Sequence, residues 1–518
     1  MDRRLLTTIA LSIATVFAMN YFFDSRSSKS EVSTVLAPGQ AYKAPINQDI
    51  KPLVRDINFV DSKMTTPEEL SVIDTPKTRY TFSTYGGQLA EIEFKDHLGK
   101  NKTPLKTLYK KNGADREHGC FVVALDEHTP FVYELADRTE TAEKAMLVYA
   151  AKAGDWTLRK TYTVHKNLYK VDLKIDCVPN HNSVKAIKPR LFVTAPYVSE
   201  LADDTLNGVI LNAKGSYLDK VEASKEAEFF WAKPGMVGAE DKYFAHMLVN
   251  DAQQFAQRTY FKRVSPMMLA IVLEGAELAE QASFDLHFYC GPKSLHDLVA
   301  VHERLEDLLS FGWLSTICKL LLRLLSYLYQ LLGNYGYAII ALTFLVKLPF
   351  VPLSMSAKRK LEEYQRYQPA INRIRAKYAS DIKVQHEEIM KFHKEHGISP
   401  TTQIFGCLPL LVQMPILFGL YRILGNYLDL YQSPFIGWIV DLSSKDPFYL
   451  LPILMGLSML WQQQLTPAAD GKQRVIGIFM SILMVAIFAN FPAGLVLYWF
   501  INNALSIAED LGRKAFFA

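Results

Sequence analysis

Long apolar runs with few charges between them fill residues 311–508, whereas residues 24–310 mix polar and apolar positions. Hydrophobic residues make up 49% and charged residues 21% of the 518 positions. These totals are typical of a globular protein, but the two kinds of residue are segregated along the chain. About twenty consecutive apolar residues are enough to cross the roughly 30 Å hydrocarbon core of a bilayer. The sequence therefore predicts a polar domain followed by a membrane-embedded helical domain.

Four apolar runs in the second half are long enough to span a membrane, and the last is long enough for two spans. This last run, 475–508, would as one helix overshoot the bilayer core by about 20 Å. The sequence N-F-P-A-G at 490–494 predicts a turn that divides it, so we expect five spans in this half. The four runs are 335–357, 401–424, 447–464 and 475–508.

The first residues, M-D-R-R, precede an uncharged stretch at 5–23. Because no small-residue cleavage pattern follows, this stretch predicts an uncleaved transmembrane anchor, residues 1–24, rather than a signal peptide. Residues 25–57 are rich in Ser, Pro and Lys and predict a tether. The arginines before the anchor would stay in the cytoplasm, which exports the polar domain.

The lysines and arginines in the loops predict the orientation of the chain. Residues 358–396 hold ten of them, 425–446 hold one, and 465–474 hold two. Because positive loops stay inside, we expect both termini, including the tail at 511–518, in the cytoplasm. The net charge of the whole chain is only +4, so it does not predict a polyanionic partner.

Alternating apolar and polar residues recur in the exported part of the chain, with turn residues between many of the segments. This pattern predicts antiparallel sheets, two packed face to face, in an all-β sandwich over residues 58–293. No carboxylate pair or histidine stands at a defined spacing, so we expect a chaperone-like surface, a docking surface or a spacer rather than catalysis. The segments are 79–85, 89–94, 120–125, 156–164, 169–178 and 284–289.

The five cysteines show no C-x-x-C and no metal-ligand spacing. Cys120, Cys177 and Cys290 lie in the exported domain, where one disulfide with one leftover thiol is an open alternative. We expect the cysteines to be small buried hydrophobic residues.

Two further segments have helical periodicity without being apolar throughout. Residues 294–332 contain Lys319 and Arg323 and predict an amphipathic helix on the outer membrane face, with a helix packed on the sandwich as the alternative. Residues 358–397, broken by A-S-D, predict a cytoplasmic helical hairpin. Its basic residues and tyrosines fit ribosomal RNA, anionic lipid, or a solvated face that follows the positive-inside rule.

Lys347 interrupts the uncharged stretch A-L-T-F-L-V-K-L-P-F-V-P-L-S at 341–354. In a span it would lie near the midplane, about 16 Å along the axis from Lys358. A lysine side chain reaches only about 6 Å, so snorkelling does not bring the ammonium to bulk water. An isolated charge there costs about 3 kcal/mol, and a water-filled cavity lined by protein would remove that cost.

Other polar residues on several spans support a hydrophilic cavity, and Thr343 lies one turn before Lys347 on the same face. Helix-to-helix hydrogen bonds remain the alternative for each Gln and Asn taken singly. The remaining candidates are Gln413, Gln462, Gln463, Gln464, Tyr498, Trp499, Asn502 and Asn503, and the helix-shaping prolines are Pro349, Pro352, Pro409, Pro415 and Pro492.

Three segments, in order, resemble the signature spans of the YidC membrane-protein insertases. They are G-C-L-P-L-L-V-Q-M-P-I-L-F-G-L-Y at 406–421, L-P-I-L-M-G-L-S-M-L-W-Q-Q-Q-L-T-P at 451–467 and F-P-A-G-L-V-L-Y-W-F-I-N-N at 491–503. The resemblance is close over 311–510, while the exported part is similar mainly in size, β-character and its F-Y-C-G-P-K ending. It implies the Gram-negative architecture: anchor, large periplasmic domain, and a five-span core at 333–510.

The resemblance also implies a mechanism and its residues. In this family a groove open to the cytoplasm and to lipid holds one positive charge, which attracts the polar or acidic end of an incoming membrane protein. Lys347 falls at that charge, where bacterial members typically have arginine, whose forked donors a lysine lacks. Thr343 falls at a groove position, and Met414, Leu417 and Trp499 fall at substrate-contacting positions.

The implied partners are newly made membrane proteins and the lipid bilayer, with a Sec-type translocon and the ribosome as further candidates. No nucleotide or other cofactor is expected, and no G-x-x-x-x-G-K-[ST] occurs. Two other classes stay open. A transporter or channel would also have intramembrane polar residues, although no inverted repeat is evident. A membrane-anchored carbohydrate-binding or carbohydrate-modifying protein would place its function in the sandwich.

Overall fold

The structure is a computed structural model whose described residues all lie in one compact unit, 41–518. The predicted anchor, most of the predicted tether, and the start of the 401–424 run lie outside the described residues. The described ranges are 42–45, 67–99, 102–108, 119–125, 129–181, 184–198, 201, 206–211, 218–222, 229–265, 268–309, 311–397, 408–465 and 471–517.

The first part of the described chain, up to Pro292, is a β-domain. Its strands pair antiparallel in three sheets with orders β1-β14-β17-β18-β11-β6, β13-β12-β15-β16-β19-β10-β9-β8-β7 and β2-β3-β4-β5. The strands are β1 Tyr42–Pro45, β2 Leu70–Asp74, β3 Thr78–Ser83, β4 Gln88–Leu98, β5 Pro104–Leu108, β6 Val122–Ala124, β7 Glu134–Glu140, β8 Lys144–Ala153, β9 Trp156–His165, β10 Lys170–Pro179, β11 Arg190–Thr194, β12 Asn207–Leu211, β13 Leu218–Val221, β14 Phe229–Ala232, β15 Val237–Glu240, β16 Phe244–Asp251, β17 Arg258–Ser265, β18 Met268–Glu274 and β19 Ala282–Pro292.

The sheets confirm the antiparallel β prediction and change two of its details. Each of the six alternating segments contains a strand, but a third, four-stranded sheet accompanies the two larger ones. Residues 42–45, inside the predicted tether, form β1 and pair with β14, so the tether prediction is wrong for these four residues. A strand this short has too little periodicity to be read from the sequence.

Inward-facing positions of the central strands form the core of the β-domain. On β9 and β10 buried residues alternate with more exposed ones, and Leu158, Tyr162 and Leu173 are completely buried. The four described cysteines are free and buried, as expected for small hydrophobic residues. Period-two burial of this kind is what fixes the register of a sheet with one face in the core.

Helices make up the described chain after the β-domain. The 310 turns Glu303–Leu308, Gly312–Leu314, Leu348–Phe350 and Leu428–Leu430 lie among them. The helices are α1 Leu295–Val301, α2 Ser315–Leu332, α3 Tyr335–Lys347, α4 Val351–Lys377, α5 Ile382–Glu395, α6 Leu408–Asn426, α7 Leu450–Leu465, α8 Gly471–Phe488 and α9 Ala493–Phe517.

The predicted single amphipathic helix at 294–332 is wrong. The segment forms α1, two 310 turns and α2, and Gly312 between them has a φ of +67° that a glycine adopts without strain. Glu306 forms an ion pair with Arg323 at 2.7 Å, and Asp307 forms one with Lys319 at 3.0 Å. The charges on α2 therefore bind the segment that precedes it.

The predicted span 335–357 is also not one helix. It divides into α3, the 310 turn and the start of α4, which continues to Lys377 as the first arm of the predicted helical hairpin. Pro349 and Pro352 stand at the division, where each removes a backbone hydrogen bond. Within the described ranges, none of the helices has both the length and the apolar character needed to cross a bilayer.

The β-domain contacts the helical region through the loop that follows α6. The rings of Tyr243, between β15 and β16, and Tyr431 lie 6.0 Å apart, and Ser294, just after the last strand, donates from Oγ to Asp429 Oδ2 at 3.3 Å. The hydroxyl of Tyr243 also reaches the carbonyl oxygen of Gly425 at 3.5 Å. Polar and aromatic contacts thus join the two parts at one end of the helices.

We expect acidification to destabilise the β-domain through His246. Its Nδ1 donates to the carbonyl oxygen of Thr194 at 2.7 Å, and burial lowers its pKa to about 4. In the unfolded chain the imidazole takes up a proton near its ordinary pKa of about 6.5. The unfolded state therefore binds more protons between these values, and folding stability falls by about 2 kcal/mol between pH 7 and pH 5.

The measurement compares thermal unfolding of the full-length protein and of His246→Gln at pH 7 and pH 5. Burial raises the pKa of Asp241 to about 6, which gives a pH dependence of opposite sign in both proteins. The test is therefore how much more the unfolding midpoint of the wild type falls between pH 7 and pH 5 than that of the variant. The wild type should lose about 5 °C more than the variant, and equal shifts would contradict the role of His246.

Candidate functional site

Lys347 is the last residue of α3, and its side chain points to α9. The ammonium Nζ donates to the carbonyl oxygen of Asn502 at 2.7 Å and to Ser506 Oγ at 2.6 Å. Glu509 Oε1 lies 3.7 Å from the same nitrogen. The Lys347 side chain is 12% exposed. It is therefore a mostly buried cation with two hydrogen-bond acceptors and one carboxylate close by.

A second lysine completes a cluster of charges at this place. Lys358 on α4 donates to Asp510 Oδ1 at 2.7 Å and lies 3.5 Å from Glu509 Oε2. Ser354 Oγ donates to Glu509 at 3.4 Å. We call Lys347, Lys358, Glu509 and Asp510 the charge cluster. Arg513 also lies 4.0 Å from Asp510 Oδ1, so each carboxylate of the cluster has two cations close by, which lowers the cost of burying it.

The local sequence explains why Lys347 and Lys358 reach the same segment of α9. The 310 turn after Lys347 tightens the chain, and Pro349 within it cannot donate a backbone hydrogen bond. On α9, Ser506 follows Asn502 by four residues, and Glu509 and Asp510 follow Ser506 by three and four, which places these partners on neighbouring parts of one side of the helix. One face of α9 therefore meets both sides of the turn.

Apart from Asn502, whose carbonyl oxygen accepts from Lys347, the predicted polar residues described next bond to other partners. Thr343 Oγ1 donates to Ile339 O on its own helix at 2.7 Å. Gln413 donates to the Tyr498 hydroxyl, which joins α6 to α9. Asn503 donates to Ser458 Oγ at 3.2 Å, which joins α9 to α7. Gln413, Tyr498 and Asn503 thus form hydrogen bonds between helices, which is the alternative considered for them from the sequence.

The Gln463 side chain on α7 packs against Gly477 on α8. The contact is so close that a Cβ atom at position 477 would overlap the Gln463 amide group. The Trp499 ring lies 5.4 Å from the Phe488 ring in a tilted arrangement, and its Nε1 has no hydrogen-bond acceptor among the described residues. Met414 and Leu417 pack into the hydrophobic core around α6. The backbone bounds place the five prolines as follows: Pro349 in the 310 turn, Pro352 at the start of α4, Pro409 and Pro415 in α6, and Pro492 before α9.

Glu509 and Asp510 were missed in the sequence because the predicted last span ended at 508, and Ser506 lies inside that span but was not singled out. Their spacing carries a usable signal, since Asn502, Ser506 and Glu509 recur every three or four residues on a helix. No pattern links them to Lys347, because the first of them is 155 residues away from it.

The outward faces of the helices carry exposed apolar stripes. On α7, Leu457 is 57% and Trp461 is 55% exposed, and on α8, Val475 is 66% and Phe479 is 55% exposed. Each pair is spaced four residues apart, so it lies on one helix face. A soluble monomer rarely exposes large apolar surface of this kind, which is typical of contact with lipid or another protein.

Family models match both parts of the chain. Residues 71–324 match the YidC periplasmic domain, and residues 327–516 match the 60Kd inner membrane protein. The two matches meet inside α2, so the first match covers the β-domain together with α1 and the start of α2. The fold and these matches define an inner-membrane protein with a β-rich periplasmic domain and a C-terminal helical region.

Named relatives cover nearly the whole chain. The membrane protein insertase YidC of Geotalea daltonii is 30% identical over 534 residues, 98% of each chain. That of Helicobacter pylori is 30% identical over 98% of this chain and 95% of its own. The chain therefore belongs to the YidC membrane protein insertase family, whose members are insertases and not enzymes.

Two solved structures resemble this chain only weakly, both in sequence identity and in TM-score. A crystal structure of an active YidC insertase covers 88% of this chain and 94% of its own at 19% identity, with a TM-score of 0.41. A putative aldose 1-epimerase from Escherichia coli K12 covers 43% of this chain and 99% of its own at 7% identity, with a TM-score of 0.29. The carbohydrate alternative gains no support from the second.

Proposed function

We propose that this protein inserts newly made membrane proteins into the inner membrane through a hydrophilic groove beside α3 and α9, with Lys347 as the groove charge. The observation that carries the proposal is the Lys347 ammonium, held by Asn502 and Ser506 on a helix region with apolar outer faces. A fixed cation near the membrane attracts an acidic or polar segment, while the adjoining apolar segment enters lipid. Neither step needs a nucleotide.

Glu509 changes how this charge acts. At 3.7 Å it offsets part of the Lys347 charge when no substrate is bound. An incoming carboxylate takes over that interaction, because Lys358 and Ser354 still hold Glu509 on its other oxygen. The groove thus has a built-in counter-ion that an acidic substrate replaces. This exchange keeps the cation paired in both states, which avoids the cost of an isolated buried charge.

The proposal also includes the membrane topology and the partners. Five spans in the C-terminal half, an N-terminal anchor and two cytoplasmic termini agree with the loop charges. The α4–α5 hairpin is held by contacts between Tyr364 and His393 at 6.1 Å and between Tyr367 and Phe392 at 6.2 Å. Its basic surface is a candidate contact for the ribosome, and a Sec-type translocon is a candidate partner.

Deleting residues 58–290 should leave insertion active, because the proposed groove lies entirely in the helical region. The measurement is growth rescue of cells depleted of their own insertase. A protein whose function lies in carbohydrate chemistry of the β-domain would lose all activity with this deletion. Rescue lost despite normal membrane levels of the shortened protein would contradict the proposal.

A further inference from the structure

A cavity of about 440 Å³ opens where the β-domain meets the helical region, beside the start of α9, whereas the charge cluster lies toward the other end of that helix. Three cations from three different segments line it: Lys242 between β15 and β16, Arg422 near the end of α6, and Lys445 in the loop before α7. Among the described residues that line the cavity there is no aspartate or glutamate. The cavity is therefore electropositive.

Two of these cations have no carboxylate partner within the described part of the chain. Arg422 and Lys445 are exposed and form no ion pair with another described residue, while Lys242 lies 5.1 Å from the Tyr243 ring centroid. The neutral amides of Asn426 and Asn490 also line the space, whereas the Ser443 hydroxyl in the lining already donates to Asp441 Oδ1 at 2.7 Å. Cations together with neutral donors are the groups that bind phosphate.

The cavity wall also has an apolar side. The rings of Tyr421 and Phe491 meet edge to face at 5.3 Å, and Tyr421 is 42% exposed. Pro492 adds a further apolar group to the lining. A small soluble anion would make no use of these residues. A ligand with an anionic head and apolar tails would contact both sides.

We propose that this cavity binds the phosphate headgroup of an anionic phospholipid. Lys242 belongs to the periplasmic domain, so the lipid would come from the leaflet on that side and tie the domain to the helical region. Cationic side chains beside apolar surface at a membrane are the usual means of recognising such headgroups. This inference does not depend on how the groove inserts its substrates.

The test is native mass spectrometry of the purified full-length protein in neutral detergent. Phosphatidylglycerol and phosphatidylcholine with identical acyl chains are the probes, and bound lipid is counted. The variant is Arg422→Gln with Lys445→Gln. The control is Lys152→Gln with Arg159→Gln, two exposed cations on β8 and β9 whose removal changes the net charge equally.

Wild type and control should retain phosphatidylglycerol about tenfold better than phosphatidylcholine, and the variant should lose that preference. Exchanging the two cations, Arg422→Lys with Lys445→Arg, should keep it. Equal retention of both lipids by the wild type, or an equal loss in variant and control, would overturn the proposal. Displacement of the lipid by glycerol phosphate at equal concentration would overturn the lipid assignment and leave a site for soluble phosphate esters.

Discussion

Replacing Lys160 by methionine is expected to lower the thermal unfolding midpoint of the periplasmic domain by about 10 °C. The Lys160 ammonium is completely buried and donates to the carbonyl oxygens of Gly86 at 2.7 Å, Gly87 at 3.2 Å and Phe121 at 2.7 Å. Methionine fills the space but leaves the carbonyl oxygens of Gly86 and Phe121 without the lysine donor, while Gly87 keeps its hydrogen bond from the Tyr162 hydroxyl. Losing the lysine donor costs about 3 kcal/mol or more. In a domain of this size each kcal/mol corresponds to about 3 °C.

The turn that Lys160 holds explains the size of this effect. Gly86 and Gly87 have φ values of +66° and +48°, and the Tyr133 ring stands over the lysine at 4.7 Å. The full-length protein is measured, with Lys152→Met on the exposed face of β8 as the matched control. We expect the control to unfold within about 1 °C of wild type. A similarly small change for Lys160→Met would show that the buried bonds contribute little.

Reversing the groove charge with Lys347→Glu should reduce insertion of a short acidic-tailed substrate by about tenfold or more. A like charge within a few ångströms of the tail costs more than ~1.4 kcal/mol at intermediate polarity, which is a factor of ten. Lys347→Arg keeps the charge and should keep most of the activity. The measurement is the fraction of substrate protected from protease in vesicles that contain each variant.

The matched control for a general charge effect is Lys391→Glu on the exposed face of α5. It makes the same change of charge outside the proposed groove and should insert the substrate normally. A substrate with a neutral tail should depend much less on residue 347. Equal insertion of the acidic-tailed substrate by Lys347→Glu and Lys391→Glu would contradict the role of the charge.

The β-domain shows which features of a fold can be read from a sequence. Alternation of period two identified β9, β10 and β19, because each has one face in the core and one outside it. The number of sheets could not be predicted, since pairs such as β1 with β14 join strands far apart in the chain. Their pairing depends on tertiary packing and not on local pattern.

The helical region shows the same division. Hydropathy located the runs, and the prolines marked the place where α3 gives way to a 310 turn. The sequence also identified Lys347 as a charge that needs a polar environment. It did not identify Glu509 as its counter-ion, because an ion pair across the fold has no sequence spacing. The resemblance to a family likewise predicted Lys347 as the groove charge without predicting a partner for it.

The most direct test of the central claim compares Lys347→Gln with Glu509→Gln, which remove the two ends of one ion pair. Insertion of acidic-tailed and neutral-tailed substrates is measured for both variants at equal membrane levels. We expect Lys347→Gln to lower insertion of the acidic-tailed substrate. We expect Glu509→Gln to maintain or raise that insertion, because it frees the Lys347 ammonium from its counter-ion. Equal losses in the two variants, for both substrates, would contradict the central claim and show that the pair serves the fold and not the substrate.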